Sequence, residues 1–77
     1  MASGRHYVVV GVFSSLNNAR RTAADTEQRD GSMRCGVYRF GERYLVSPFA
    51  AERAEECVQY IRDHAAAFPD LWTYTAR

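Results

Sequence analysis

Lysine is missing altogether: all ten basic residues are Arg, set against nine acids, for a formal net charge of +1. That balance excludes the one-signed field with which proteins attract nucleic acid or an anionic membrane surface. Histidine is scarce, and neither His6 nor His64 has a second His, Cys or carboxylate at the spacing of a metal site such as Cys-x-x-Cys or His-Glu-x-x-His. A Gly-x-Ser-x-Gly turn and a Gly-rich phosphate loop are both lacking, since Gly11 stands alone between valines. No enzyme motif is found, and no metal or other cofactor is expected. Long apolar runs are absent as well, and Met1-Ala-Ser-Gly-Arg-His6 has neither region of an export signal. The only two cysteines, Cys35 and Cys57, admit either a disulfide or two free core thiols, because bridge geometry is narrow and spacing does not decide it.

What remains is a single small domain whose core must be thin at 77 residues. Residues 1–5 are expected as a frayed lead-in, or as the leader of a domain cut from a longer chain, and residues 6–77 as the domain itself. Its one strongly apolar run is Tyr7-Val-Val-Val-Gly-Val-Phe-Ser-Ser15, which suits a central strand with Gly11 at a bulge or a close backbone approach and Ser14 or Ser15 capping a helix. Leu16, Ala19, Ala23 and Thr26 then fall at helical spacing up to about Arg29, with Gly31 as the expected left-handed stop.

A second strand is predicted from about Ser32 to Phe40, and Gly41-Glu42 suits a type II′ hairpin into a third, Arg43 to Val46. Pro48 is read as the end of that strand, because it has no N–H to donate. A second helix is predicted from Ala50 to about Phe68, burying Ala54, Cys57, Val58, Ile61, Ala65 and Phe68, followed by a last strand over Leu71–Thr75. The order strand, helix, strand, strand, helix, strand predicts an α+β fold of ferredoxin-like or RNP-like type. Its form is a four-stranded antiparallel sheet with both helices on one face, over one shared core.

Strict alternation then places Val8, Val10, Val37, Tyr44 and Val46 beneath the helices. It puts Tyr7, Val9, Tyr38, Phe40, Arg43 and Leu45 on the open sheet face, where aromatic rings and a guanidinium suit sugar faces or stacked bases.

Val9-Val-Gly-Val-Phe-Ser-Ser15 with Asn18-Ala19, then Tyr44-Leu-Val-Ser-Pro-Phe49 with Ala54-Glu55, and the closing Phe68-Pro-Asp-Leu-Trp72 resemble the SPOR domain of bacterial envelope proteins, especially as found in Bacteroidetes-type bacteria. The resemblance covers almost the whole chain and implies the same fold. It also implies binding of peptidoglycan, chiefly glycan strands stripped of stem peptides, through the open sheet face. The expected setting is the periplasm or cell envelope, often the division septum, with any membrane link made by a separate segment of a parent protein. The family often has Gln and Ser where this chain has Val9 and Val12, which shifts the weight of binding toward Tyr38, Phe40 and Arg43. Two other uses of the same face are a weak homodimer of a regulatory module and stacking of single-stranded RNA. Against RNA stand the near-neutral charge and a Tyr44–Phe49 stretch without a basic-Gly-aromatic signature.

Overall fold

The computed structural model describes residues Met1–Arg77. Eight elements follow one another: β1 (His6–Val9), β2 (Gly11–Phe13), α1 (Leu16–Arg29), β3 (Gly36–Phe40), β4 (Arg43–Ser47), β5 (Phe49–Ala51), α2 (Ala54–His64) and β6 (Trp72–Thr75). The class is α+β as expected, with two helices. The strands, however, form two three-stranded antiparallel sheets, β5-β1-β6 and β2-β4-β3, in place of one four-stranded sheet.

The difference has a local cause. The two central runs, 6–13 and 43–51, are both interrupted at the same level, at Val10 in one and Pro48 in the other. Pro48 has no N–H for a ladder, and the Val10 N–H turns to the Val46 carbonyl at 2.9 Å. His6 opposite Ala51 and Phe13 opposite Tyr44 nevertheless belong to one register, so each run carries one extra residue at the break. Alternation therefore slips by one on both runs together. Val8 and Ala51 face α2, whereas Phe13, Tyr44 and Val46 face α1.

Burial is correspondingly divided between two clusters, not gathered into the one shared core expected. Val8, Ala51 and Cys57 pack with Phe49, Tyr60, Ile61 and Leu71, while Ala19, Ala23 and Val46 pack with Val10, Phe13, Cys35, Val37 and Tyr44. Cys35 and Cys57 thus belong to different clusters and both are free thiols, so the disulfide alternative is not the one adopted. Burial pushes the Cys35 thiol up to about 11, with the Glu27 carboxylate adding to the effect.

Helix α1 starts and ends where its spacing predicts. Ser15 accepts from the Asn18 N–H at 3.3 Å, and Ala19, Ala23 and Thr26 are buried. Its stop differs from the expected left-handed glycine: the Asp30 carboxylate accepts from the Ser32 N–H at 2.9 Å and the Ser32 hydroxyl at 2.6 Å, which turns the chain without a positive φ at Gly31. The hairpin is as expected, with Phe40 opposite Arg43 and a positive φ of 62° at Gly41 alone, the II′ pattern.

Helix α2 starts later than predicted, because Phe49–Ala51 is a strand paired with β1. Its buried face is also turned. Tyr60 stacks between Phe49 (4.7 Å) and His64 (4.0 Å), so Cys57, Tyr60 and Ile61 point inward and Val58 is left exposed. The C-terminal ends of the two helices meet: Arg29 donates to the Ala67 carbonyl and lies over the Phe68 ring at 4.3 Å, and His64 Nε2 stands 3.9 Å from Asp30. Within residues 1–5, Gly4 N–H bonds to the Ala76 carbonyl, and the Arg5 carbonyl accepts from the Ala76 N–H. No helix is long and apolar enough to cross a membrane.

Candidate functional site

The sheet surface turned away from the helices is built by alternation in four strands. On β1, Tyr7 and Val9 take this side, beside Tyr74 and Trp72 of β6. On β4, Leu45 and Arg43 take it, beside Tyr38 and Phe40 of β3. Six residues expected on one face thus share it.

They are not equally accessible, which corrects the expectation of an open platform. Tyr7, Val9 and Leu45 are 2%, 0% and 0% exposed, so these three belong to the interior and offer no side chain to a ligand. Curvature is the reason. β3 is not a sheet neighbour of β1 or of β6. Even so, Tyr38 meets Tyr7 edge-on at 5.3 Å and Phe40 meets Tyr74 edge-on at 4.8 Å. The breaks at Val10 and Pro48 curl the two sheets toward each other on this side, and rings from the outer strands close over the central ones. The Ala2 N–H donates to the Tyr7 hydroxyl at 2.8 Å and satisfies its polar tip.

What a ligand meets is therefore the outer ring of this surface. Tyr38, Phe40 and Tyr74 are half-buried, Arg43 is exposed, and Trp72 is 43% exposed, unusual for the largest apolar side chain. Trp72 and Tyr74 are absent from the sequence-based set. The alternation Trp72-Thr-Tyr74-Thr carried the signal, and only the pairing of β6 with β1 places it on this face.

Two features shape the rim. Gly36 lets the Tyr38 ring fold down over the start of β3, since a Cβ there would lie 2.6 Å from the Tyr38 hydroxyl oxygen. Beyond Gly36, β3 ends opposite Ser47, and β5 has a strand on one side only. A groove of about 220 Å³ lies at that corner, between the bend Ser47–Ala50 and Arg5, Arg34, Gly36 and Tyr38. Nowhere do three His, Cys, Asp or Glu side chains gather as metal ligands.

No protein-family model matches the chain, and no curated protein matches it. Among solved structures, the chain is similar to the solution structure of the peptidoglycan binding domain of the Bacillus subtilis cell wall lytic enzyme CwlC. The match spans 96% of this chain and 91% of that one, at 22% identity and a TM-score of 0.63. At that identity the likeness is one of fold.

Proposed function

We propose that this chain is a non-catalytic peptidoglycan-binding module that seats a glycan strand across the curved aromatic surface. The observation that carries the reading is the row Tyr38, Phe40, Tyr74 and Trp72, left accessible on the one sheet side without a helix, in a fold matched by a peptidoglycan binding domain. Flat rings cover the apolar C–H faces of pyranoses, and an Arg at the edge, here Arg43, donates to hydroxyl or carboxyl oxygens. The SPOR resemblance adds three finer statements: glycan stripped of stem peptides is the preferred form, the setting is the bacterial cell envelope, and the parent protein acts in cell division.

Co-sedimentation with purified sacculi, before and after amidase removal of stem peptides, tests the reading. Pelleting that rises after amidase treatment is expected. Truncating an aromatic anchor of a binding surface typically costs about 2 kcal/mol or more, roughly thirtyfold in affinity, so Trp72→Ala should lose most of the pelleted fraction. Absence of pelleting with both preparations would refute the proposal.

A further inference from the structure

The groove at the Ser47–Ala50 bend has a chemistry that the aromatic row does not use. Two arginines line it, Arg5 and Arg34, and no acidic residue does. Neither takes part in the chain's ion pairs, which are Arg53 with Glu55 and His64 with Asp30. Arg34 is held in place by neutral groups instead: one terminal nitrogen, Nη1, donates to the Gly31 carbonyl at 2.8 Å and to the Met33 carbonyl at 2.7 Å. Those bonds fix the side chain while leaving its charge uncompensated and its other nitrogens free. A fixed guanidinium with a free edge is the preorganised partner of a carboxylate, which it can bind through two parallel N–H donors. The groove also adjoins the aromatic surface, because Tyr38 belongs to both.

We infer that this groove is a carboxylate-binding subsite, in which Arg34 and Arg5 hold the acid group of a ligand whose sugar lies against Tyr38. The inference deepens the peptidoglycan reading and rests on it for the sugar. In that polymer a carboxylate has two sources: the lactyl group of muramic acid once its peptide is removed, and the stem peptide itself. The subsite accounts for a ligand preference that stacking alone does not give, since aromatic rings do not distinguish an acid from an amide.

The test is an NMR titration of the whole chain with N-acetylmuramic acid, with N-acetylmuramoyl-L-alanyl-D-isoglutamine, and with an N-acetylglucosamine oligomer that has no carboxylate. Shifts at the Gly36 and Ala50 amides and at the Arg34 and Arg5 Nε–H groups are expected with an acid. A response to muramic acid alone assigns the lactyl source, and a response to the dipeptide alone assigns the peptide. Arg5→Gln and Arg34→Gln are each expected to weaken that binding about tenfold or more. Arg5 makes no side-chain bond within the fold, so its variant tests the site without touching the turn at Arg34.

The groove is overturned if it responds equally to the oligomer without a carboxylate, responds to none of the three, or keeps its affinity in both variants. If Trp72 and Phe40 respond to the oligomer while the groove responds to no acid, the glycan reading stands and the subsite falls. If the groove takes the acids while Trp72 and Phe40 respond to no sugar, the subsite stands and the aromatic reading falls.

Discussion

Leu45→Ala separates what holds this surface together from what it offers to a ligand. Leu45 is 0% exposed and lies between Val12 and Tyr38 in the β2-β4-β3 sheet, so truncation removes buried methyl groups and leaves a space its neighbours fill only in part. Such changes cost about 2–5 kcal/mol. A chain of 77 residues has a total stability of about 4–12 kcal/mol at ~0.05–0.15 kcal/mol per residue, so one side chain accounts for about a sixth of it or more. Each 1 kcal/mol shifts the melting temperature of a domain this size by about 4–8 °C, and a loss of about 3 kcal/mol lowers Tm by roughly 12–24 °C. Thermal unfolding followed by circular dichroism reads the shift. Sacculus pelleting in the cold, where the variant is still folded, is expected to match the wild type. Trp72→Ala should behave in the opposite way, with Tm little changed and pelleting lost. A Leu45→Ala variant that melts within about 3 °C of wild type, or that keeps its Tm and loses binding, would refute the assignment of Leu45 to the interior.

Other outcomes are open to measurement. Gly36→Ala should displace the Tyr38 ring, because the new Cβ would fall 2.6 Å from its hydroxyl oxygen. The half-buried Tyr38 ring, packed edge-on against Tyr7 at 5.3 Å, must itself shift, so we expect a stability loss of about 1–3 kcal/mol and a changed near-ultraviolet circular dichroism spectrum; an unchanged spectrum would count against the close approach. The Asp30 carboxyl is held below the ordinary carboxylate range, first by its hydrogen bonds with the Ser32 side chain and backbone and then by nearby His64. A depressed folded-state value stabilises the fold above the unfolded value of ~3.9 and ceases to do so as pH falls through the folded value. Asp30→Asn should therefore be the less stable chain near neutrality and approach wild type in acid, and a gap that widens on acidification would contradict the sign. Cys35, pushed up to about 11, should react with iodoacetamide at pH 8 far more slowly in the folded chain than in the unfolded one, by mass spectrometry. Equal rates would place the thiol outside its cluster.

How much of this was legible depends on whether local chemistry or distant contacts decided each element. The Ser15 cap, the spacing through Thr26 and the Gly41-Glu42 turn are local, and the helix and hairpin fall where they predict. Phe49–Ala51 is the opposite case. Alanines favour a helix and Pro48 resembles a strand end, yet pairing with His6–Val8 holds the segment extended. The face of α2 turned because Tyr60 stacks on Phe49 as well as on His64; helical spacing pairs Tyr60 with His64 one turn on, but only the tertiary fold brings in Phe49 from β5. For the candidate site, alternation grouped Tyr7, Val9, Tyr38, Phe40, Arg43 and Leu45 on one side. It carried no information on curvature, and curvature is what buries three of the six. Arg5 and Arg34 had no periodic signal at all, since they come to line one groove only where β3 ends and the β4–β5 run bends.

That bend explains why a small core can support a ligand-sized surface. A straight four-stranded sheet would hold β3 and β6 apart at its two edges, spaced by the ladder distance of about 4.8 Å for each strand step. The contacts of Tyr38 with Tyr7 and of Phe40 with Tyr74 could not form across that width, and Val9 and Leu45 would be left to water. One extra residue in a single central run would curl the sheet at the cost of register, turning every following side chain of that run to the wrong face. With the extra residue in both runs at the same level, the register survives and the faces change together. The same break frees one edge of β5 just where β3 stops, and so opens the groove beside the aromatic row. Interior packing, accessible rings and the basic groove therefore depend on one paired irregularity. A variant that straightened only one of the two runs, by deleting Val10, is expected to lose the fold itself and not merely the binding.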